Sequence, residues 1–469
     1  MRNKISFLAI TMLLLVTGCA KYTDLDPKGK NLLDRASDLD LLMNVTYAND
    51  AFNVRKQSIL VNDTYIIGAN VPNTLSSGIM NWDKVLLTYN EAADRAGLAT
   101  TDGTYEGLYK IISTVVNIAI ANSDKASGDP MLLKQIKAEA LTLRAYLHFL
   151  LVNIYAKAYD PATAATDGGI PYVNDVDFEK LNTKNTVKEV YDRMLSDLDA
   201  AIALGSLPDR PKNAMRIGKG FAFAIKAKVL LSMRNYTGAL EAINTALTIN
   251  NTLEDHRPLM TITPKANRIL TRVGLTAPDN LFYACFDVTD PGLSLPTYEI
   301  LNNYYEAGNI VKDQTETYNY QYGLYLTGLP NIPMWYAMAY QGNTAGLTTS
   351  DLVIMKAECL IRTNKIGEGM DEVNKIRVRR IDPAVYAPWS AATAAQAMTY
   401  LQKTSRIEFL FTWRNFVDIK RWNREGIYPV AVERTINGTK YVLPANSKLW
   451  VFPFPQSATQ FNETLTQNY

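Results

Sequence analysis

The sequence predicts a mostly α-helical protein, in which helical hairpins form a scaffold and a loop-rich insertion interrupts it. Three observations carry that prediction. The run Lys-Ala-x-x-Leu recurs at residues 137 to 141, 226 to 230 and 356 to 360. In a helix the Ala and the Leu three residues on share a face, and the small Ala lets a second helix come close. Apolar residues at helical spacing continue from each of these runs. Between the second and third, from Asn251 to Thr348, the chain carries Pro258, Pro264, Pro278, Pro291, Pro296, Pro330 and Pro333 with many glycines, which break helices into loops and short elements.

Helices are expected at 35 to 48, 104 to 123, 130 to 157, 186 to 204, 218 to 249, 349 to 380 and 394 to 424. The helix from 130 contains the first Lys-Ala-x-x-Leu run and then a long apolar stretch around His148. The second and third runs continue in parallel: a first helix, a polar turn near Arg234 to Tyr236 or Thr363 to Ile366, then a second helix, with Asn244 and Asn374 at equivalent places. Residues 218 to 249 are therefore two helices broken around Asn235. The pattern is similar to tetratricopeptide helix pairs, but spacings of 89 and 130 residues between the runs show that the units are not in tandem. The last helix sets Arg414, Asp418 and Arg421 at i, i+4 and i+7, on one stripe flanked by Phe409, Trp413, Phe416 and Val417. An Asp between two Arg among packed side chains reads as a structural ion-pair stripe.

Arg2 and Lys4 precede an uncharged run from Ile5 to Gly18, too short to span a bilayer, which needs about 20 apolar residues. This is the layout of a secretory signal peptide over residues 1 to 18. Val16-Thr17-Gly18-Cys19 resembles a lipobox, which makes Cys19 the expected lipid anchor and first mature residue. Charges interrupt every later apolar stretch, so the chain is expected to be tethered to a membrane without spanning it.

Composition narrows the chemistry. The chain holds 48 basic and 46 acidic residues, and loss of Arg2 and Lys4 leaves the side chains balanced, with no basic run for nucleic acid to hold. Only His148 and His256 are available for metal ligation or a catalytic triad, and neither sits in a recognisable motif. GxxxxGK[ST] and GxGxxG are absent. No metal, no cofactor and no catalytic residue is expected, and Cys285 and Cys359 read as buried thiols. Binding is favoured over catalysis.

Two patches are candidates for that binding. The insertion contains Tyr298, Tyr304, Tyr305, Tyr318, Tyr320, Tyr322, Tyr325, Trp335, Tyr336 and Tyr340, of which Tyr320, Tyr322, Trp335, Tyr336 and Tyr340 are taken as candidate ligand contacts. Aromatic faces stack on the C–H side of a sugar ring, while hydroxyl and amide groups meet its hydroxyls. The second patch is Asn81-Trp82-Asp83, expected in a polar loop ahead of the helix near Thr104, with Asn81 and Trp82 as candidate contacts.

At Glu408, Arg414, Asp418, Arg421 and Trp422 the chain resembles the SusD/RagB family of outer-membrane nutrient-uptake lipoproteins. The likeness runs in order along the chain: the lipobox at Cys19, then residues 105 to 122, 138 to 159, 168 to 173, 190 to 208 and 452 to 468. Thr412-Trp413 departs from the Glu-Gly that precedes the late Arg in that family. The resemblance implies a SusD-like fold with a lipid-anchored N-terminal helical region (19 to 250), an insertion carrying the ligand surface (251 to 348) and a C-terminal helical region with an irregular tail (349 to 469). It also implies a non-catalytic outer-membrane lipoprotein that captures an oligosaccharide for a SusC-like TonB-dependent transporter. A peptide-binding RagB-like protein and a helical-repeat interaction subunit are the alternatives.

Overall fold

In the computed structural model the described residues are 33–65, 70–177, 179–286, 293–294, 296–317, 327–329, 335–336 and 340–469. Cys19, the leader over residues 1 to 18, Tyr320 and Tyr322 lie outside them. The scaffold helices are α1 (Ala36–Leu42), α2 (Arg55–Leu60), α3 (Trp82–Thr88), α4 (Gly103–Ile111), α5 (Pro130–Tyr155), α6 (Val187–Ala203), α7 (Lys219–Ser232), α8 (Tyr236–Ile249), α9 (Thr349–Arg362), α10 (Ile366–Arg377), α11 (Ala394–Glu408) and α12 (Trp413–Glu425). Helix α4 runs on through a π-helical turn at Ile112–Val116 into Asn117–Ser123.

Local chemistry explains the starts and stops. Asp129 accepts from the amide of Met131 at 2.9 Å and Pro130 opens α5, a pairing that suits the first helical turn. Thr186 with Glu189, and Thr348 with Asp351, form capping boxes for α6 and α9. The hairpins α7–α8 and α9–α10 turn through single left-handed residues, Arg234 (φ 65°) and Asn364 (φ 63°), at matching positions. Ala138, Ala227 and Ala357 of the three repeats are fully buried. On α10, Gly369 occupies the place of Ala239 on α8, and a Cβ there would lie 2.6 Å from Ile361 Cγ1. Small residues therefore set how close the paired helices come.

Helix α5 is buried on every side from Ala138 to Tyr155, and one continuous apolar core runs from Ala36 to Leu465 around it. Helix α8 packs directly on α9 although the insertion separates them in sequence. The insertion leaves and returns at one place. There β1 (Asn280–Phe282) pairs antiparallel with β4 (Leu347–Thr348), with Phe282 opposite Leu347. Asn343 secures that base: its Nδ2 donates to the Phe282 carbonyl at 2.7 Å, and its Oδ1 accepts from the Gly346 amide at 2.8 Å. Within the insertion β2 (Leu293–Ser294) pairs with β3 (Trp335–Tyr336). A hairpin of β5 (Val432–Ile436) and β6 (Thr439–Leu443) turns at Asn437-Gly438, both at positive φ, as a two-residue hairpin requires. Its Arg434 is buried against the Ile59 carbonyl and the Tyr89 hydroxyl.

Two expectations are corrected, at residues 394 to 424 and at Asn81-Trp82-Asp83. Residues 394 to 424 are two helices, because Phe411 takes φ 64° and Thr412 caps α12, its hydroxyl accepting from the Arg414 amide. Residues 349 to 380 divide at Asn364, inside the polar turn expected near Thr363 to Ile366, and the second helix ends at Arg377. Asn81-Trp82-Asp83 is no loop: Asn81 caps α3, and Trp82 and Asp83 form its first turn. The departure at Thr412-Trp413 has a packing role, since Trp413 is buried and its Nε1 donates to the Ala345 carbonyl at 2.9 Å.

Candidate ligand-binding site

Asn81 Oδ1 accepts from the Lys84 amide at 2.9 Å, and this cap fixes where Trp82 and Asp83 project. The Trp82 indole stacks on Phe452 with ring centres 5.9 Å apart and 22° between planes. Its Nε1 donates to the Leu98 carbonyl at 3.1 Å. The Lys56 ammonium from α2 lies 5.2 Å from the ring centre. The indole is thus held rigidly and half-buried.

Beside it opens a cleft of about 290 Å³ whose walls come from three separate stretches, 50 to 59, 82 to 86 and 102 to 104. Its polar groups include Asn53, Arg55, Lys56, Gln57, Asp83 and Asp102. Asp102 is committed to structure: its Oδ1 accepts from the amides of Thr104 and Tyr105 and from the Tyr155 hydroxyl at 2.9 Å, capping α4. Its Oδ2 faces Lys56 Nζ at 3.7 Å. Burial raises the Asp83 carboxyl above the usual carboxylate range, and Arg55 and Lys56 offset only part of that. A rigid aromatic edge beside planar acceptors and donors is the arrangement that recognises a polyhydroxylated ring.

The insertion residues sit elsewhere. Tyr340 lines two adjoining cavities of about 150 and 90 Å³ at the base of the insertion, and its hydroxyl donates to Glu254 at 3.1 Å. Burial alone would raise Glu254, but His256, Arg380 and Arg272 outweigh it and hold its carboxyl at about 2. Arg380 also pairs with Glu408 at 2.7 Å, so Tyr340 sits in a network of buried charges. The backbone of Trp335 and Tyr336 forms β3, and their side chains lie outside those described. The structure thus sets Asn81 and Trp82 at one site and Tyr340 at another.

On α12, Asp418 accepts from Lys228 Nζ at 2.8 Å and from Arg421 Nε at 2.9 Å. Arg414 turns the other way, to Asp351 at 3.4 Å and to the Asn343 carbonyl at 2.9 Å at the base of the insertion. Arg421 continues to Glu358, which also accepts from Trp422 Nε1 at 2.9 Å. All these side chains are nearly enclosed and join helices, and Arg414 also lines the cavity of about 150 Å³ beside Tyr340. Cys285 and Cys359 are buried thiols. Among the described residues no group of His, Cys, Asp and Glu is placed to hold a metal, and no helix is long and apolar enough to cross a membrane.

The sequence reading passes over Lys56 and Gln57 as lining residues, and it places Asp83 in the patch without naming it a contact. Asp83 carried a signal, as an acid directly after a Trp behind an Asn cap; Gln57 carried none.

Several solved structures share this fold. A SusD superfamily protein from Bacteroides thetaiotaomicron VPI-5482 is 17% identical, with a TM-score of 0.69 over 93% of this chain and 100% of its own. A putative sugar binding protein from Bacteroides vulgatus ATCC 8482 is 16% identical, with a TM-score of 0.67 over 93% and 98%. A SusD-like carbohydrate binding protein from the same organism is 14% identical, with a TM-score of 0.65 over 92% and 97%. Comparison with curated proteins gives no match. Residues 24–231 match the SusD-like family described as starch-binding associating with outer membrane, and residues 250–469 match the SusD family. With the two matches spanning nearly the whole chain and the fold shared end to end, this chain belongs to the SusD/RagB family.

Proposed function

We propose that this protein is a non-catalytic lipoprotein of the outer-membrane surface that captures an oligosaccharide and passes it to a SusC-like TonB-dependent transporter. The observation that carries the reading is the Trp82 cleft, where a clamped indole edges a pocket of amide, carboxylate and basic groups. Such a pocket offers stacking and hydrogen bonds. Family membership and the sugar-binding descriptions of similar structures support the same ligand class. A tether beside a transporter raises the local ligand concentration, so modest affinity is enough.

Purified mature protein is expected to bind a glycan in a panel of oligosaccharides and peptides, and Trp82→Ala to weaken that binding about tenfold or more, the worth of a stacked aromatic. Retention of peptides only, or of nothing, overturns the reading. Cys19 is the proposed anchor: Cys19→Ser is expected to leave the protein folded but in the supernatant of washed membranes. If the variant pellets as the parent does, Cys19 is not the tether.

A further inference from the structure

Two acceptors in the Trp82 cleft lack a donor. Gln57 is 4% exposed and lines the cleft, and its Oε1 has no hydrogen-bond partner. A buried carbonyl oxygen left unpaired is costly and calls for a donor from outside the fold. Asp83 stands next to the indole on the first turn of α3. Among the described residues it has neither a hydrogen-bond nor an ion-pair partner, and Arg55 and Lys56 act on it only at longer range.

The other charged groups of the cleft are engaged. Asp102 is bound by two amides, a tyrosine hydroxyl and Lys56. Asp50 accepts from Asn53 at 3.2 Å. Lys56 is shared between Asp102 and the face of Trp82. Asp50, Asp83 and Asp102 outnumber Arg55 and Lys56, so the lining carries an excess negative charge.

A ligand that completes this cleft must donate hydrogen bonds and must not bring negative charge. We propose that the cleft selects sugar rings that are neutral or carry an amine, whose hydroxyl or ammonium groups donate to Asp83 and Gln57, and that it rejects carboxylated and sulfated glycans. The inference rests on glycan capture at Trp82. Trp82 and Asp83 both line the cleft, so a ring held at this edge of it presents its hydroxyls to Asp83. An uronate or sulfate at that edge meets a carboxylate in a partly desolvated site, where like charges repel more strongly than in water.

The test uses the purified mature chain on a panel of neutral α- and β-glucans, xylan and mannan oligosaccharides, chitosan oligomers, oligogalacturonides and chondroitin sulfate, with calorimetry on the tightest binder. Neutral or amine-bearing glycans are expected to bind about tenfold or more tightly than acidic ones, the scale of one hydrogen bond to a charged group. Asp83→Asn is expected to weaken the tightest binder and to narrow its margin over acidic glycans, with the thermal midpoint unchanged. Gln57→Leu should weaken binding without narrowing that margin. An acidic glycan as the tightest Trp82-dependent ligand, an Asp83→Asn variant with an unaltered preference, or binding indifferent to Trp82 overturns the inference and leaves capture standing. Binding of no glycan at all overturns capture, and the inference with it.

Discussion

Asp418→Ala is expected to lower the stability of the folded chain by about 3–5 kcal/mol, the cost of leaving a buried charge without its partner. Asp418 is 3% exposed on α12 and holds two cations: Lys228, 1% exposed on α7, through both carboxylate oxygens at 2.8 and 2.9 Å, and Arg421 through Nε at 2.9 Å. Arg421 keeps Glu358 when Asp418 is removed, but Lys228 has no second carboxylate within ion-pair distance among the described residues. Its ammonium would be left beside the Trp413 ring, 5.8 Å from the centre. The damage is the stranded lysine more than the lost attraction, so adding Lys228→Met to Asp418→Ala should restore part of the loss. Denaturant midpoints of the parent, the two single variants and the double variant measure this. A fall of less than about 1 kcal/mol for Asp418→Ala, or a double variant as unstable as the sum of the singles, would mean that this pair does not join α7 to α12.

The hairpin scaffold is legible because its information is local. Ala227 with Leu230 and Ala357 with Leu360 announce one packed face at one spacing, and the structure buries all four. The break between α11 and α12 is not legible: Phe411 adopts a left-handed conformation within an apolar, glycine-free run, a geometry that tertiary packing imposes and propensity disfavours. Asn437-Gly438 is the reverse case, a strong hairpin signal that a helical reading of the C-terminal region passes over. Trp82 is visible in the sequence as an aromatic in a polar stretch, but its cleft is not. Asp50, Gln57, Asp83 and Asp102 lie on three stretches that only the fold brings together, and nothing local distinguishes Gln57 from any other glutamine. The stripe on α12 shows the limit of helical periodicity. Spacing places Arg414, Asp418 and Arg421 on one face, but Arg414 sits in the first turn after the break, beside the returning strand of the insertion. There Asp351 and two backbone carbonyls compete successfully for its guanidinium.

Acid should destabilise this fold, with one buried carboxyl, Asp63, opposing the loss over its first stage. Asp63 is fully buried; burial outweighs Arg406 at 3.0 Å and the Asn415 amide, and lifts its carboxyl to about 6. Between about 6 and the ordinary value of 3.8 the folded chain holds a proton there that the unfolded chain has lost, so the contribution of Asp63 to stability rises as pH falls through that window. Glu358 has the opposite sign. Burial pushes its carboxyl up, but Arg421, Arg362 and the Trp422 indole outweigh it and bring the value down to about 2, against 4.5 for an ordinary glutamate. Its contribution is complete above about 4.5 and is lost as pH falls towards 2, and Glu254, also held at about 2, adds to the same limb. Displacements of this size are worth about 3 kcal/mol each. His148, fully buried and held at about 3 against an ordinary 6.5, and His256, also lowered by burial, oppose Asp63 over the same window, because the unfolded chain takes up protons there that the folded chain cannot. Denaturant midpoints from pH 7 to 3 should therefore fall below about pH 6.5 and drop most steeply below about 4.5. Asp63→Asn should make the fall between about pH 6 and 4 steeper and leave the acid limb. Glu358→Gln should be destabilised at neutral pH, because Arg421 and Arg362 lose their shared anion, and should show a shallower acid limb. A fall between about pH 6 and 4 that Asp63→Asn leaves unchanged would show that Asp63 is ionised throughout, with Arg406 prevailing over burial.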